Sequence, residues 1–114
     1  MIDEAAAGRA KKRDRRAEHI LAHEAAVFIR DEAGADSLIT VTRATVTDHG
    51  SKAAVFVSVF PEERENSALA FLHRQREAFS NYLKAHTRLS PLPRIEFELD
   101  RDELRRRLEE LGSV

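Results

Sequence analysis

Val46-Thr47-Asp48-His49-Gly50-Ser51-Lys52-Ala53-Ala54-Val55-Phe56-Val57-Ser58-Val59 is the stretch whose reading decides the fold. Asp48 to Ser51 is a cluster of turn formers. Downstream, residues 52–60 alternate, with Val55, Val57 and Val59 on one face, which is the period of a half-buried strand. Upstream, residues 38–47 are rich in β-branched side chains and also read as a strand. Two strands across so short a turn form an antiparallel hairpin. The first strand changes phase: Ile39 and Val41 are odd, Ala44 and Val46 even. An extra residue near Arg43, a β-bulge, lets both halves face one core.

Before the hairpin, Ala17, Ile20, Leu21, Ala25 and Phe28 recur at helical spacing, so residues 14–32 are expected to form an amphipathic helix that stops at Gly34. Residues 1–12 lack an apolar period and are expected to be a flexible basic arm. After the hairpin, Pro61 ends the second strand. Asn66 or Ser67 can cap a helix bearing Leu69, Leu72, Phe79 and Leu83, and the prolines at 91 and 93 close that region. Residues 94–99 alternate strictly and form the third strand. Asp100 and Glu103 sit at N-cap and N3 spacing before a short helix with Leu104, Leu108 and Leu111. The order is α-β-β-α-α-β plus a C-terminal helix. This is an α+β fold with helices packed on one face of a three-stranded mixed sheet.

The helical region between the second and third strands cannot be one straight rod. At roughly 100° per residue, Leu72, Phe79 and Leu83 share one stripe, and Arg76 falls inside it. An unpaired guanidinium buried against a sheet costs several kcal/mol. A break near 74–78 turns Arg76 out and divides the region into helices over 66–74 and 77–88.

The chain has 114 residues, no cysteine and a net charge of −1, so one domain is expected, with neither disulfides nor thiolate chemistry. No apolar run is long enough for a membrane span and the N-terminus has no signal-peptide core, so a cytoplasmic location is expected. The balanced total hides two basic segments. Residues 9–16 hold six bases against one acid, and residues 73–94 hold five against one. The candidate phosphate-contacting residues are Lys11, Lys12, Arg13 and Arg16 in the first segment, with Arg74, Arg76, Lys84 and Arg88 in the second. Lys84 and Arg88 are an i, i+4 pair. A solvated charged face is the simpler reading of either segment alone, and convergence of the two is what would make them a site. His19 and His23 are also i, i+4, but a metal needs a third ligand and the zincin order is missing. No nucleophile elbow or phosphate-cradling glycine loop is present, so neither catalysis nor a cofactor is expected.

The element order and three segments resemble ribosome-binding factor A, a family of bacterial small-subunit assembly factors with a KH-like domain. Arg16-Ala17-Glu18-His19-Ile20 is similar to the family's opening helix. The hairpin quoted above resembles the family's Val-Ser-Pro-Asp, small loop, Ala-Lys-Val-Tyr-Val-Ser-Val pattern. Arg88-Leu89 and Pro93-Arg94-Ile95-Glu96-Phe97 resemble its closing helix end and strand. The likeness spans residues 13–99, which would be the KH-like RNA-binding domain, with 100–114 as a short helix and tail. Two places depart from the family: Ala33-Gly34-Ala35-Asp36 stands where a Lys-Asp-Pro-Arg loop is usual, and Gln75-Arg76-Glu77 where Ala-x-Gly marks the helix break.

The resemblance implies a non-catalytic, monomeric, cytoplasmic protein. It would bind the small ribosomal subunit and its ribosomal RNA in late maturation and rRNA processing, with no membrane or DNA partner. Tyr82 and His86 could add stacking, although both also fit the edge of the apolar stripe. The alternative is a KH-like protein–protein interaction module that has lost RNA binding and uses the Leu104/Leu108/Leu111 face.

Overall fold

A computed structural model describes residues 4–34 and 38–112. Its elements are α1 (Glu4–Ala33), β1 (Ile39–Thr47), β2 (Lys52–Val59), α2 (Glu65–Arg74), α3 (Arg76–His86), β3 (Arg94–Leu99) and α4 (Arg101–Gly112). The sheet order is β1-β2-β3, with β1 antiparallel and β3 parallel to the central β2. The sheet is therefore mixed, as the alternation and the two-helix crossover require.

The inward face of the sheet carries Ala44, Ala53, Val55, Val57, Ile95 and Phe97, all buried. Leu21, Ala25, Phe28 and Ile29 of α1 cover it, together with Leu72 of α2 and Phe79 and Leu83 of α3. The bulge expected near Arg43 is present: Val41 pairs with Val57 and Arg43 with Phe56, which leaves Thr42 as the extra residue. Ile39 and Val41 before it, and Ala44 and Val46 after it, then all pack on the same core. α1 ends where Gly34 takes φ +83 and its N–H donates to Arg30 O at 3.0 Å, a left-handed stop that favours glycine.

α1 departs from its expected start. It is helical from Glu4, ten residues before the point where apolar periodicity begins. Thus residues 4–12 are part of a helix and not the separate flexible arm expected from the sequence; residues 1–3 lie outside the described chain. The apolar period could not reveal these turns because Gly8, Lys11, Lys12 and Arg13 are exposed or nearly so, and no core contact imposes a pattern on them. Alanine-rich composition sustains a helix there by propensity.

The break in the second helical region falls at Gln75, whose ψ is 0°. Its N–H lies within bonding distance of both Phe71 O and Leu72 O, and its own carbonyl accepts from Phe79 N–H at 2.8 Å. Gln75 thereby closes α2 and opens α3 without a glycine. Leu72, Phe79 and Leu83 are all fully buried as a result, whereas Arg76 escapes the stripe. It does not project freely into solvent: its Nη1 donates to both oxygens of Glu96 on β3 at 2.8 Å.

The outer strands are covered at their free edges by helix side chains. Val46 N–H on β1 donates to Glu18 of α1 at 2.7 Å, and His73 of α2 reaches Phe97 O on β3 at 3.4 Å. Exposed strand edges invite pairing with other chains, and these contacts reduce that opportunity.

A second lock joins β1 to the start of α4. Asp100 is buried and accepts hydrogen bonds from Thr42 Oγ1 and from Arg43 Nε, the latter at 3.2 Å. The Arg43 guanidinium lies 3.9 Å from the Phe56 ring centroid and also reaches Asp102 at 3.4 Å. Of the expected Asp100–Glu103 capping pair, the Glu103 side chain lies outside the described residues. Asp100→Ala is expected to lower unfolding free energy by about 2 kcal/mol, because it strips partners from Thr42 and Arg43. Asp102→Ala, at an exposed pair, is expected to change it by less than about 0.5 kcal/mol. Urea midpoints of the two variants test this contrast.

Candidate nucleic-acid interface

α1 and α3 pack antiparallel through aromatic side chains. Phe28 lies 5.2 Å from Phe79 and 5.4 Å from Tyr82, ring centroid to centroid, while Tyr82 Oη–H donates to Glu24 at 2.7 Å. Moving towards the end of α3 therefore means moving towards the start of α1. The last turn of α3 points to the half of α1 that carries Lys11, Lys12, Arg13 and Arg16.

The two flanks of α1 are set by their contacts: Glu24 and Phe28 face α3, and Glu18 faces β1. By helical rotation Arg13 projects about 20° from Glu24, on the α3 flank, whereas Arg16 projects about 80° from Glu24 and about 120° from Phe28, on the solvent side of α1. Lys11 projects about 20° from Ala22, on the β1 flank. The run of bases in α1 is thus spread around the helix.

Lys84 and Arg88 sit on the surface, but Lys84 is on the other side of α3 from α1, since it follows Tyr82 by roughly 200° of rotation. Lys84 and His86 lie in the last turn of α3, where cations complement the helix dipole. Thr87 is extended, so the helix ends before Arg88. Arg74 is exposed at the end of α2, and Arg76 is held by Glu96. The structure brings the leading half of α1 and the end of α3 to one end of the helical layer. It places Arg76 at the far end of α3, roughly 12 Å along the axis from Lys84, with Arg74 beyond the break at the end of α2. The two basic segments are divided into these groups, because α3 stands between Lys84 and α1 and because an acid of β3 occupies Arg76.

Two features take their form only from the fold, one of them at the Tyr82 and His86 pair already singled out for stacking. The Tyr82 and His86 rings stack at 4.1 Å with 20° between their planes. The i, i+4 spacing signals the pairing, but not that α1 fixes the tyrosine beneath it. The second feature is Arg43, whose charge is shared with Asp100 and Asp102. Among the described residues no three His, Asp or Glu side chains are gathered as a metal would require, His19 and His23 included.

The Tyr82 phenol has a raised pKa. The hydrogen bond it donates to Glu24 is the largest cause, followed by burial and the charges of Glu24 and Asp31. The neutral hydroxyl is the form that the hydrogen bond to Glu24 holds.

The helical layer on one face of an αββααβ mixed sheet, with cations on the helices, places the molecule in the KH-like class of small α+β proteins. The chain belongs to the ribosome-binding factor A family, whose model matches residues 12–111. The crystal structure of ribosome-binding factor A from Thermus thermophilus is similar at a TM-score of 0.65 and 29% identity, over 74% of this chain and 92% of that one. A T. thermophilus ribosome-binding factor A homology model, fitted into the cryo-EM map of a complex with the 30S subunit, is similar at 0.53 and 31% identity, over 70% and 90% of the two chains. Comparison with curated proteins gave no match.

Because the folded pKa of Tyr82 lies above the usual value of about 10, its contribution to stability is complete below that pH and is lost as pH rises through the folded pKa. Tyr82→Phe removes this contribution. Urea midpoints from neutral pH to beyond pH 10 are expected to fall more steeply for the native chain than for the variant. Parallel curves would show that the phenol is not held as described.

Proposed function

We propose that this protein binds the small ribosomal subunit through its ribosomal RNA and assists late maturation, including rRNA processing, by binding and not by catalysis. The observation that carries the reading is the family match over residues 12–111, together with the related T. thermophilus protein having been fitted into a 30S complex map. The surface cations of α1 and α3 supply phosphate contacts of the kind that release counterions from RNA. Lys11, Lys12, Arg13, Arg16, Arg74, Lys84 and Arg88 fit that role. Arg76 can join only by leaving Glu96. In this reading the protein acts as a cytoplasmic monomer with no cofactor, and neither DNA nor membrane is a partner. None of the described helices is long and apolar enough to cross a membrane.

A second reading, a protein–protein module that has lost RNA binding, is favoured by Leu108 and Leu111 of α4, which are 60% and 74% exposed. Leu104, the third member of that expected face, has a side chain outside the described residues.

Sedimentation separates the two. A tagged chain is expected to travel with the small subunit through a sucrose gradient and to be released by RNase. Release by neither RNase nor salt, with loss of co-sedimentation on Leu108→Ser/Leu111→Ser, favours the protein-binding reading. Lys84→Ala/Arg88→Ala is expected to weaken subunit binding. It should also reduce the slope of log affinity against log salt by about 0.7–0.9 per lost phosphate contact. Unchanged affinity and slope would remove both residues from the interface.

A further inference from the structure

The Phe79, Tyr82 and His86 rings form a column that begins in the core and ends in solvent. Phe79 is fully buried, Tyr82 half-buried and His86 exposed. Neighbouring planes differ by only 19° and 20°, with centroid separations of 6.3 and 4.1 Å. The column is fixed at both polar ends. Glu24 accepts from the tyrosine hydroxyl, and the histidine Nδ1 lies 2.9 Å from Tyr82 O. A carbonyl oxygen only accepts, so Nδ1 carries the proton, and in the neutral ring Nε2 remains an acceptor. Tyr82 covers one face of the imidazole. Among the described residues no other ring stacks on it.

The charges around this ring have a direction. Of the acids on the α3 side of α1, Glu24 is engaged with Tyr82 and Asp31 lies beside Arg30, while Asp14, about 40° from Phe28 by helical rotation, lies in the N-terminal half next to Arg13. In the antiparallel arrangement His86 lies further towards the N-terminal half of α1, where Arg13 is on that flank and Arg16 on the adjoining solvent side, two bases against Asp14. A planar, rigid, surface-facing ring with cations to one side matches the two parts of a nucleotide. A base stacks at a cost small in entropy because the ring is already held, and its phosphates run towards the arginines.

We infer that His86, backed by Tyr82, is a stacking platform for an unpaired RNA base, with Arg13 and Arg16 contacting the adjacent phosphates. This rests on the RNA-binding reading above and narrows it to single-stranded or bulged elements, since paired bases have no free face to offer. The site lies on the α1 side of α3 and does not require Lys84, which projects from the opposite side.

The test uses the full chain and two probes: a short single-stranded oligoribonucleotide, and the same oligomer with its bases removed. Tyr82 is the only tyrosine and there is no tryptophan, so intrinsic emission reports on this column alone. The intact oligomer is expected to change that emission; the abasic one is not. His86→Ala is expected to lose about tenfold in affinity for the intact oligomer and nothing for the abasic one, with His86→Phe restoring the difference. Arg13→Gln/Arg16→Gln is expected to weaken both probes. Because His86 is exposed, its variants should keep the native thermal midpoint, which is measured alongside. The platform is overturned if His86→Ala leaves the ratio of the two affinities unchanged, or if the native chain does not distinguish the probes. If the ratio is unchanged while Lys84→Ala/Arg88→Ala still releases the small subunit, the platform falls and the ribosomal reading stands.

Discussion

Phe79 lies between Phe28 of α1 and Phe97 of β3, at centroid separations of 5.2 and 5.7 Å, and the rest of the helical layer is arranged around that contact. Tilted aromatic pairs of this kind add to the area they bury. For Phe79 to sit there alongside Leu72 and Leu83, the chain must interrupt its helix, because an unbroken one would bury Arg76 in the same stripe. Gln75 provides the interruption, and α1 can then lie antiparallel to α3.

The cost of an ionised side chain near the core explains where Arg76 goes. Its guanidinium holds both oxygens of Glu96 and is about two-fifths exposed, a geometry in which charge-assisted hydrogen bonds offset partial desolvation. An arginine held in this way is less available to a phosphate than Lys84 or Arg88, which have surface positions at the other end of the helix. Net charge near zero is therefore compatible with RNA binding. What matters is which cations the fold leaves open, and the acids of this chain are partly used in holding the scaffold: Glu18 on Val46, Glu24 on Tyr82, Asp100 on Thr42 and Arg43.

The bulge at Thr42 has two consequences from one extra residue. It keeps Ile39, Val41, Ala44 and Val46 on the core side, and it aims Thr42 and Arg43 at Asp100, where β3 passes into α4. The phase change in the β1 sequence announces the first consequence. The second needs the neighbouring strands, since Asp100 is 58 residues away in the chain from Thr42.

The sequence by itself determined the strands, their inward faces, the bulge, the stop at Gly34 and the need for a break before Phe79. Each is a local matter of side-chain period or backbone freedom, readable over a few residues. It did not reveal the helical turns before residue 14, because a solvent-exposed helix has no apolar period to display. Tertiary structure alone decided which cations remain open and that Tyr82 and His86 form a fixed, outward-facing pair. Glu96, Glu24 and Phe28 do the deciding, and they come from distant segments. An ion pair or a ring stack depends on where the folded chain brings two groups together, whereas a period depends only on the order in which residues follow one another.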